Sequence, residues 1–354
     1  MTGARGENGK TRVYITVDVE GAEERVVRGR ALPPQGYDLR VWCRFRNQVK
    51  DLGIGLIMRE LEACDMRGTF FVEVLGSHFF GKDGLRDVCQ ALHGRGHDVQ
   101  LHTHPVQRNA AFRSRHDAPA PDDIADYDVP TQTALLKEGI DLLVASGIPR
   151  EDVVGFRAGN FGASNDTWEA MKRAGLVLSS NYNPCYFQKR CRMRHDGARA
   201  GLFEPIPGVW ELPIANFREE GGGFRHVQIT AVSSGEMEDY LTQARDAGIR
   251  EVCIVTHSFE LCHIDDVALH TGRVNTVNLH RLRSLCRFLR DHASDFEVDT
   301  VGALGKRLSS GAEQVDARAP RDLPRGRRRH KARRLVEQAL KRIEARVPFS
   351  LPGT

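Results

Sequence analysis

Four short stretches hold the residues that can do chemistry. "TVDVEG" (16–21) sets Asp18 and Glu20 two apart, and "LHTHP" (101–105) sets His102 and His104 two apart. On a strand that spacing turns both side chains to the same side. "GFRAGNFG" (155–162) carries Arg157, and "VTHSFE" (255–260) carries His257. Two carboxylates, three imidazoles and a guanidinium supply metal-ligand types together with acid and base types. Each has a plainer reading by itself: polar residues ending a strand, a surface arginine, a histidine bonded to backbone. All six, however, stand where strand-like runs end. Core filling accounts for one such residue and accounts poorly for six.

The elements that must position them follow from periodicity. Runs 12–20, 68–75, 97–103, 152–158, 176–182, 209–215, 251–259 and 296–300 are β-branched, aromatic or alternating, as strands are. Helical patterns fall between them at 56–65, 84–96, 130–147, 164–175, 233–248 and 276–293. Ser233 with Glu236 three residues on is a capping box. Strand and helix alternate about seven times, which predicts a mostly parallel sheet with helices outside, closed as a distorted (β/α)7-type barrel. In barrels of this kind the site collects at the C-terminal ends of the strands. Three stretches break the alternation: 22–50, 107–129 and 185–208. They are expected to be lids or binding loops, or else disordered.

Hydrophobic residues make up 40% and charged residues 28% of 354, which excludes a chain disordered throughout. There is no run of about 18 apolar residues and no apolar signal region, so a cytoplasmic protein is expected, with an inner-membrane periphery as the variant. The eight cysteines lack close-paired spacing and are expected to be reduced. Cys64, Cys89 and Cys286 fall on apolar helix faces. Charge is asymmetric. From residue 318 onward there are 12 Lys+Arg against 3 Asp+Glu, whereas residues 1–317 carry 39 against 44. The expected division is a barrel over 1–308 and a basic tail over 309–354. The tail comprises a linker and a helix, 331–347, with Leu335, Val336, Ala339, Leu340, Ile343 and Val347 along one face. Such a tail suits an anionic membrane surface. Nucleic acid is disfavoured, because no aromatic-studded basic surface accompanies it.

In this order the motifs resemble those of the polysaccharide deacetylase, or NodB-homology, family. "TVDVEG" resembles its first motif, "GTFFVEVLG" its Ala-Thr-Phe-Phe-Val strand, and "GHDVQLHTH" its first histidine motif. "GFRAGNFGAS" resembles its arginine motif, and "VTHSFE" its late histidine motif. The resemblance spans roughly 12–305. It implies a divalent metal, often zinc, held by an acidic residue and two histidines. By position, Glu20, His102 and His104 correspond to the ligands, Asp18 to the catalytic base, Arg157 to its orienting partner and His257 to the acid. The family's second histidine falls at Val106 here, and His104 is the nearby substitute. Tyr182 and Trp210 are candidate sugar-stacking residues, with a backbone N–H near Tyr182 as an oxyanion donor. The implied activity is hydrolysis of an N-acetyl group on an amino sugar or intracellular glycan precursor. Alternatives are hydrolysis of another non-peptide C–N bond, such as a cyclic ureide, and a degenerate metal-free barrel that binds sugar.

Overall fold

A computed structural model describes residues 9–27, 30–112, 120–187, 189–195, 199–315 and 322–345. One sheet contains β1 (Thr11–Val19), β2 (Thr69–Glu73), β3 (Asp98–Thr103), β4 (Gly155–Ala158), β5 (Leu178–Ser179), β6 (Phe203–Ile206), β7 (Val209–Glu211), β8 (Glu251–His257) and β9 (Phe296–Val298). Its order is β8-β1-β2-β3-β4-β5-β7-β6, with β9 pairing the start of β1. All pairings are parallel except the β6–β7 hairpin. The sheet curls until the chain just past β7 meets β8, through a single parallel bridge, Ile214 with Cys253. Seven parallel strands thus surround an interior, and the arrangement is a distorted (β/α) barrel.

Alternation along each strand decides what faces that interior. In β1, Val13, Ile15 and Val17 join the large core under the helices, while Tyr14 joins a second, inner cluster. In β8, Val252 and Ile254 face outward, and Cys253 and Val255 face inward. Phe156 of β4 and Leu101 of β3 face out, so Arg157 and His102 fall on the inner row. The inner cluster is closed from below by Val301, Leu304 and Leu308.

The outer layer is α1 (Ile54–Glu62), α2 (Lys82–Gly94), α3 (Val129–Ala145), α4 (Asn165–Ala174), α5 (Ser234–Asp246), α6 (Thr276–Asp291), α7 (Val301–Ser309) and α8 (Arg328–Glu344). Their ends follow local chemistry. Asp128 accepts from the Thr131 N–H at 2.9 Å to start α3, and the Ser233–Glu236 box starts α5. Gly175 ends α4 in the left-handed region, φ 76°. Helix α7 was not among the helices expected from the sequence. Thr300 caps it, at 3.3 Å from the Ala303 N–H.

Two expectations need correction. Residues 107–129 are not wholly loop, since a helix covers Pro105–Phe112. The stretch expected as a linker is packed where it is described. Leu323 is buried in the large core, and the Arg218 N–H bonds the Pro324 carbonyl at 2.9 Å, so this segment extends the sheet pair Asn216–Arg218 and Phe224–His226. Helix α8 docks through charged residues and leaves Leu335, Val336 and Ile343 exposed. Val347 of the expected apolar face lies outside the described residues. The eight cysteines are free and mostly buried.

Candidate active site

Register brings the six residues to one end of the barrel. Asp18 is paired with His257 across β1–β8, and His102 with Arg157 across β3–β4. Glu20 and His104 follow one residue beyond the ends of β1 and β3. All lie at strand C-termini, on or just past the inner rows.

Glu20, His102 and His104 converge. Their ligand atoms lie within 4.8 Å of one another. Glu20 Oε2 is 2.8 Å from His104 Nε2 and 3.9 Å from His102 Nε2. Each imidazole has its other nitrogen occupied: His102 Nδ1 faces the Arg157 carbonyl at 2.8 Å, and His104 Nδ1 faces Asp122 Oδ2 at 2.9 Å. An Nδ1–H given to such an acceptor leaves the Nε2 lone pair for an ion, which is how metal-binding histidines are held. One carboxylate and two imidazoles fit a divalent ion such as zinc and leave a coordination position open. His104 fits only because residue 159 is glycine. A Cβ there would stand 2.4 Å from the imidazole.

Electrostatics describe the same cluster. Burial opposes the Glu20 carboxylate, but His104, His102 and Arg40 outweigh it and hold its pKa well below the usual range. Burial likewise opposes a charged His104, and the flanking Asp122 and Glu20 outweigh it, raising its pKa well above the usual value. In the metal-free chain one proton therefore rests on His104 between two carboxylates. A cation taking that nitrogen must displace the proton, so affinity falls as pH falls. Arg40 donates to the other Glu20 oxygen, Oε1, at 3.1 Å and leaves Oε2 facing the histidines.

Asp18 is fixed from the barrel interior. Arg157, fully buried, donates from Nη1 to Asp18 Oδ1 at 2.6 Å. It also donates to the Ser180 carbonyl and hydroxyl, and its guanidinium lies 4.1 Å over the Phe71 ring. Removing one member of such a pair strands a buried charge, at a cost of about 3–5 kcal/mol. The other Asp18 oxygen, Oδ2, lies 3.9 Å from His257 Nε2. His257 Nδ1 meets Glu260 Oε1 at 2.8 Å, and Glu260 accepts from Thr256 and Gln228. Burial works against the imidazolium, but Glu260 and then Asp18 outweigh it and bring the His257 pKa to about 9.

Two sequence candidates fall elsewhere. Tyr182 is buried with its ring edge-on to Phe187 and Phe203, at 4.9 and 5.4 Å. Its N–H donates to Glu211 Oε1 at 2.8 Å, so that N–H is already engaged. Trp210 packs against the inner cluster, which includes Val301 and Leu304. Neither reaches the cluster of six. The sequence reading also missed Asp122, Glu260 and Glu73. Glu260 carried a signal, an acid three residues after His257. Glu73 ends β2 and accepts from the Leu75 and Gly76 N–H groups at 2.9 Å; burial, partly offset by these bonds and His104, pushes its pKa up to about 7. Asp122 sits in an aperiodic stretch and had no signal.

No family model and no curated protein matches the sequence. Solved structures do resemble the chain. One is a protein from Mycobacterium smegmatis assigned as a polysaccharide deacetylase, at 16% identity and a TM-score of 0.49, covering 92% of this chain and 97% of that one. Two peptidoglycan N-acetylglucosamine deacetylases are more distant. One, solved with 4-naphthalen-1-yl-N-oxidanyl-benzamide, has 10% identity and a TM-score of 0.40, over 84% of this chain and 89% of its own. The other, a catalytic domain from Eubacterium rectale, has 9% identity and a TM-score of 0.35, over 90% of this chain and 95% of its own.

Proposed function

We propose that the chain is a metal-dependent amidohydrolase that removes an N-acetyl group from an amino sugar or glycan precursor. The observation that carries this reading is the position of Asp18. Its carboxylate is clamped by Arg157 on one oxygen and faces His257 with the other, two residues from the Glu20 ligand. Metal ligands, a fixed base and a charged acid are thereby collected at one end of the barrel. The metal-free sugar-binding alternative drew its support from Val106. It loses ground because His104 completes a three-ligand cluster without a histidine at that position.

A divalent ion held by Glu20, His102 and His104 supplies Lewis acidity, activating water near neutral pH and polarising an amide carbonyl. The chain does the rest. Asp18 Oδ2 takes the proton of the water that attacks the acetamide carbon, while Arg157 fixes where the carboxylate points. Collapse then breaks the C–N bond. His257 gives its Nε2 proton to the leaving nitrogen, because an amine is too basic to depart unprotonated. The products are acetate and a free amino sugar. Glu260 is a positioning residue. It holds the proton-bearing Nδ1 and favours the imidazolium, so Nε2 remains a donor at neutral pH.

The acid role of His257 is tested by leaving-group demand. In His257→Ala, kcat/KM should fall about 10²–10⁴-fold for an N-acetyl sugar, the usual contribution of one acid–base group, and far less for an aryl acetate. With the parent, the rate should decline on the alkaline side as His257 loses its proton. An amide-to-ester ratio unchanged by the substitution would remove the acid role.

A further inference from the structure

Helix α8 inverts the usual rule for a helix packed on a domain. Its polar ridge is buried and its apolar stripe faces out. Arg334, 3% exposed, pairs with Glu219 at 2.8 Å and Glu236 at 3.0 Å. Glu337 accepts from the fully buried Arg281 at 2.8 Å. Glu344, 1% exposed, accepts from the Thr276 N–H and hydroxyl, each at 2.6 Å. The charged ridge thus fixes the rotation of the helix about its axis. The opposite face carries Leu335, Val336 and Ile343, exposed by 57%, 61% and 53%, with Ala339 between them. Among the described residues, these are three of the seven large apolar side chains left exposed.

Cations border that stripe. Arg329, Lys331 and Arg342 are exposed on its flanks. The helix's two acids, Glu337 and Glu344, both point inward to partners, so the outward face carries no carboxylate. The chain's charge is divided the same way: basic from residue 318 onward, acidic before it. An apolar stripe flanked by Lys and Arg, on a helix lying flat, is the pattern of a helix that rests in the plane of a bilayer interface. A second copy of this chain would set these cations against one another. No helix among the described residues is long and apolar enough to cross a membrane.

We propose that α8 docks the protein on an anionic lipid bilayer, with Leu335, Val336 and Ile343 entering the acyl boundary and the flanking cations meeting the headgroups. Helix α8 crosses the N-termini of α5 and α6, at Glu236 and Thr276. Both helices begin at the end of the barrel where the strands finish, so the docked face borders the rim that carries the candidate site. The docking itself does not depend on the catalytic reading.

The test is co-sedimentation of the full chain with phosphatidylcholine vesicles, with and without phosphatidylglycerol. Binding to the anionic vesicles should be at least tenfold tighter than to neutral ones and should weaken as salt rises. Substituting Leu335→Gln, Val336→Gln and Ile343→Gln together keeps the charge and alters only exposed positions. It should leave the melting temperature unchanged and weaken anionic-vesicle binding at least tenfold. Three outcomes overturn the proposal: no vesicle binding by the parent, equal binding by the triple variant, or a parent dimer that the triple variant converts to monomer. The last would make a second copy the occupant of this face.

Discussion

Replacing Asp18 with asparagine should lower turnover about 10²–10⁴-fold and leave the metal content near one equivalent. An amide of the same shape still accepts the Arg157 N–H, so the guanidinium keeps a hydrogen-bond acceptor there although it loses its counter-charge, and some loss of stability should accompany the loss of turnover. What the amide cannot do is accept a proton from water. The loss of turnover is therefore that of a general base, in the range usual for such groups. Elemental analysis beside kcat separates the two acids. Loss of metal in parallel with activity would make Asp18 a ligand and exchange its role with Glu20. Asp18→Ala is the less informative change, because it removes the hydrogen-bond acceptor as well as the charge.

The second large effect belongs to His102. Its imidazole is 2% exposed, its Nδ1 is taken by the Arg157 carbonyl at 2.8 Å, and its Nε2 faces Glu20. Three protein ligands are the usual catalytic set, so His102→Ala leaves two. The expected outcome is loss of both tightly bound metal and activity. Asp122→Asn offers a graded comparison. It keeps all three ligands but weakens the acceptor that orients His104, and such changes cost about 10–100-fold in metal affinity. A His102→Ala chain that still holds a full equivalent of tightly bound metal would place the centre elsewhere.

Most of the barrel was legible because its strands and helices carry strong periods. In β1 and β8 alternate residues separate cleanly into the outer core and the inner cluster, and the same alternation placed Asp18 and His257 inward. The pairs Asp18–Glu20 and His102–His104 were legible for the same reason: spacing by two is a statement about one face. Contacts between distant segments were not. Asp122 reaches His104 from an aperiodic stretch, and no local pattern marks it. Tyr182 and Trp210 were chosen as aromatics near strand ends. Yet Tyr182 turns into an aromatic cluster with Phe187 and Phe203, and Trp210 packs against the inner hydrophobic cluster. The amphipathic pattern of the tail helix was legible, but which face meets the barrel was not, because the fully buried Arg281 and the N-terminal turn of α6 offered charged and polar partners that hold α8 by its polar side.

The central claim is metal-dependent amide hydrolysis at the Glu20–His102–His104 cluster. Its most direct test measures acetate released from N-acetylated amino sugars by the full-length chain, first as purified, then after stripping with a chelator, then after stepwise return of zinc. The account predicts that stripping abolishes release and that activity returns in proportion to metal, saturating at one equivalent. Acetate release that persists in demonstrably metal-free protein would contradict it.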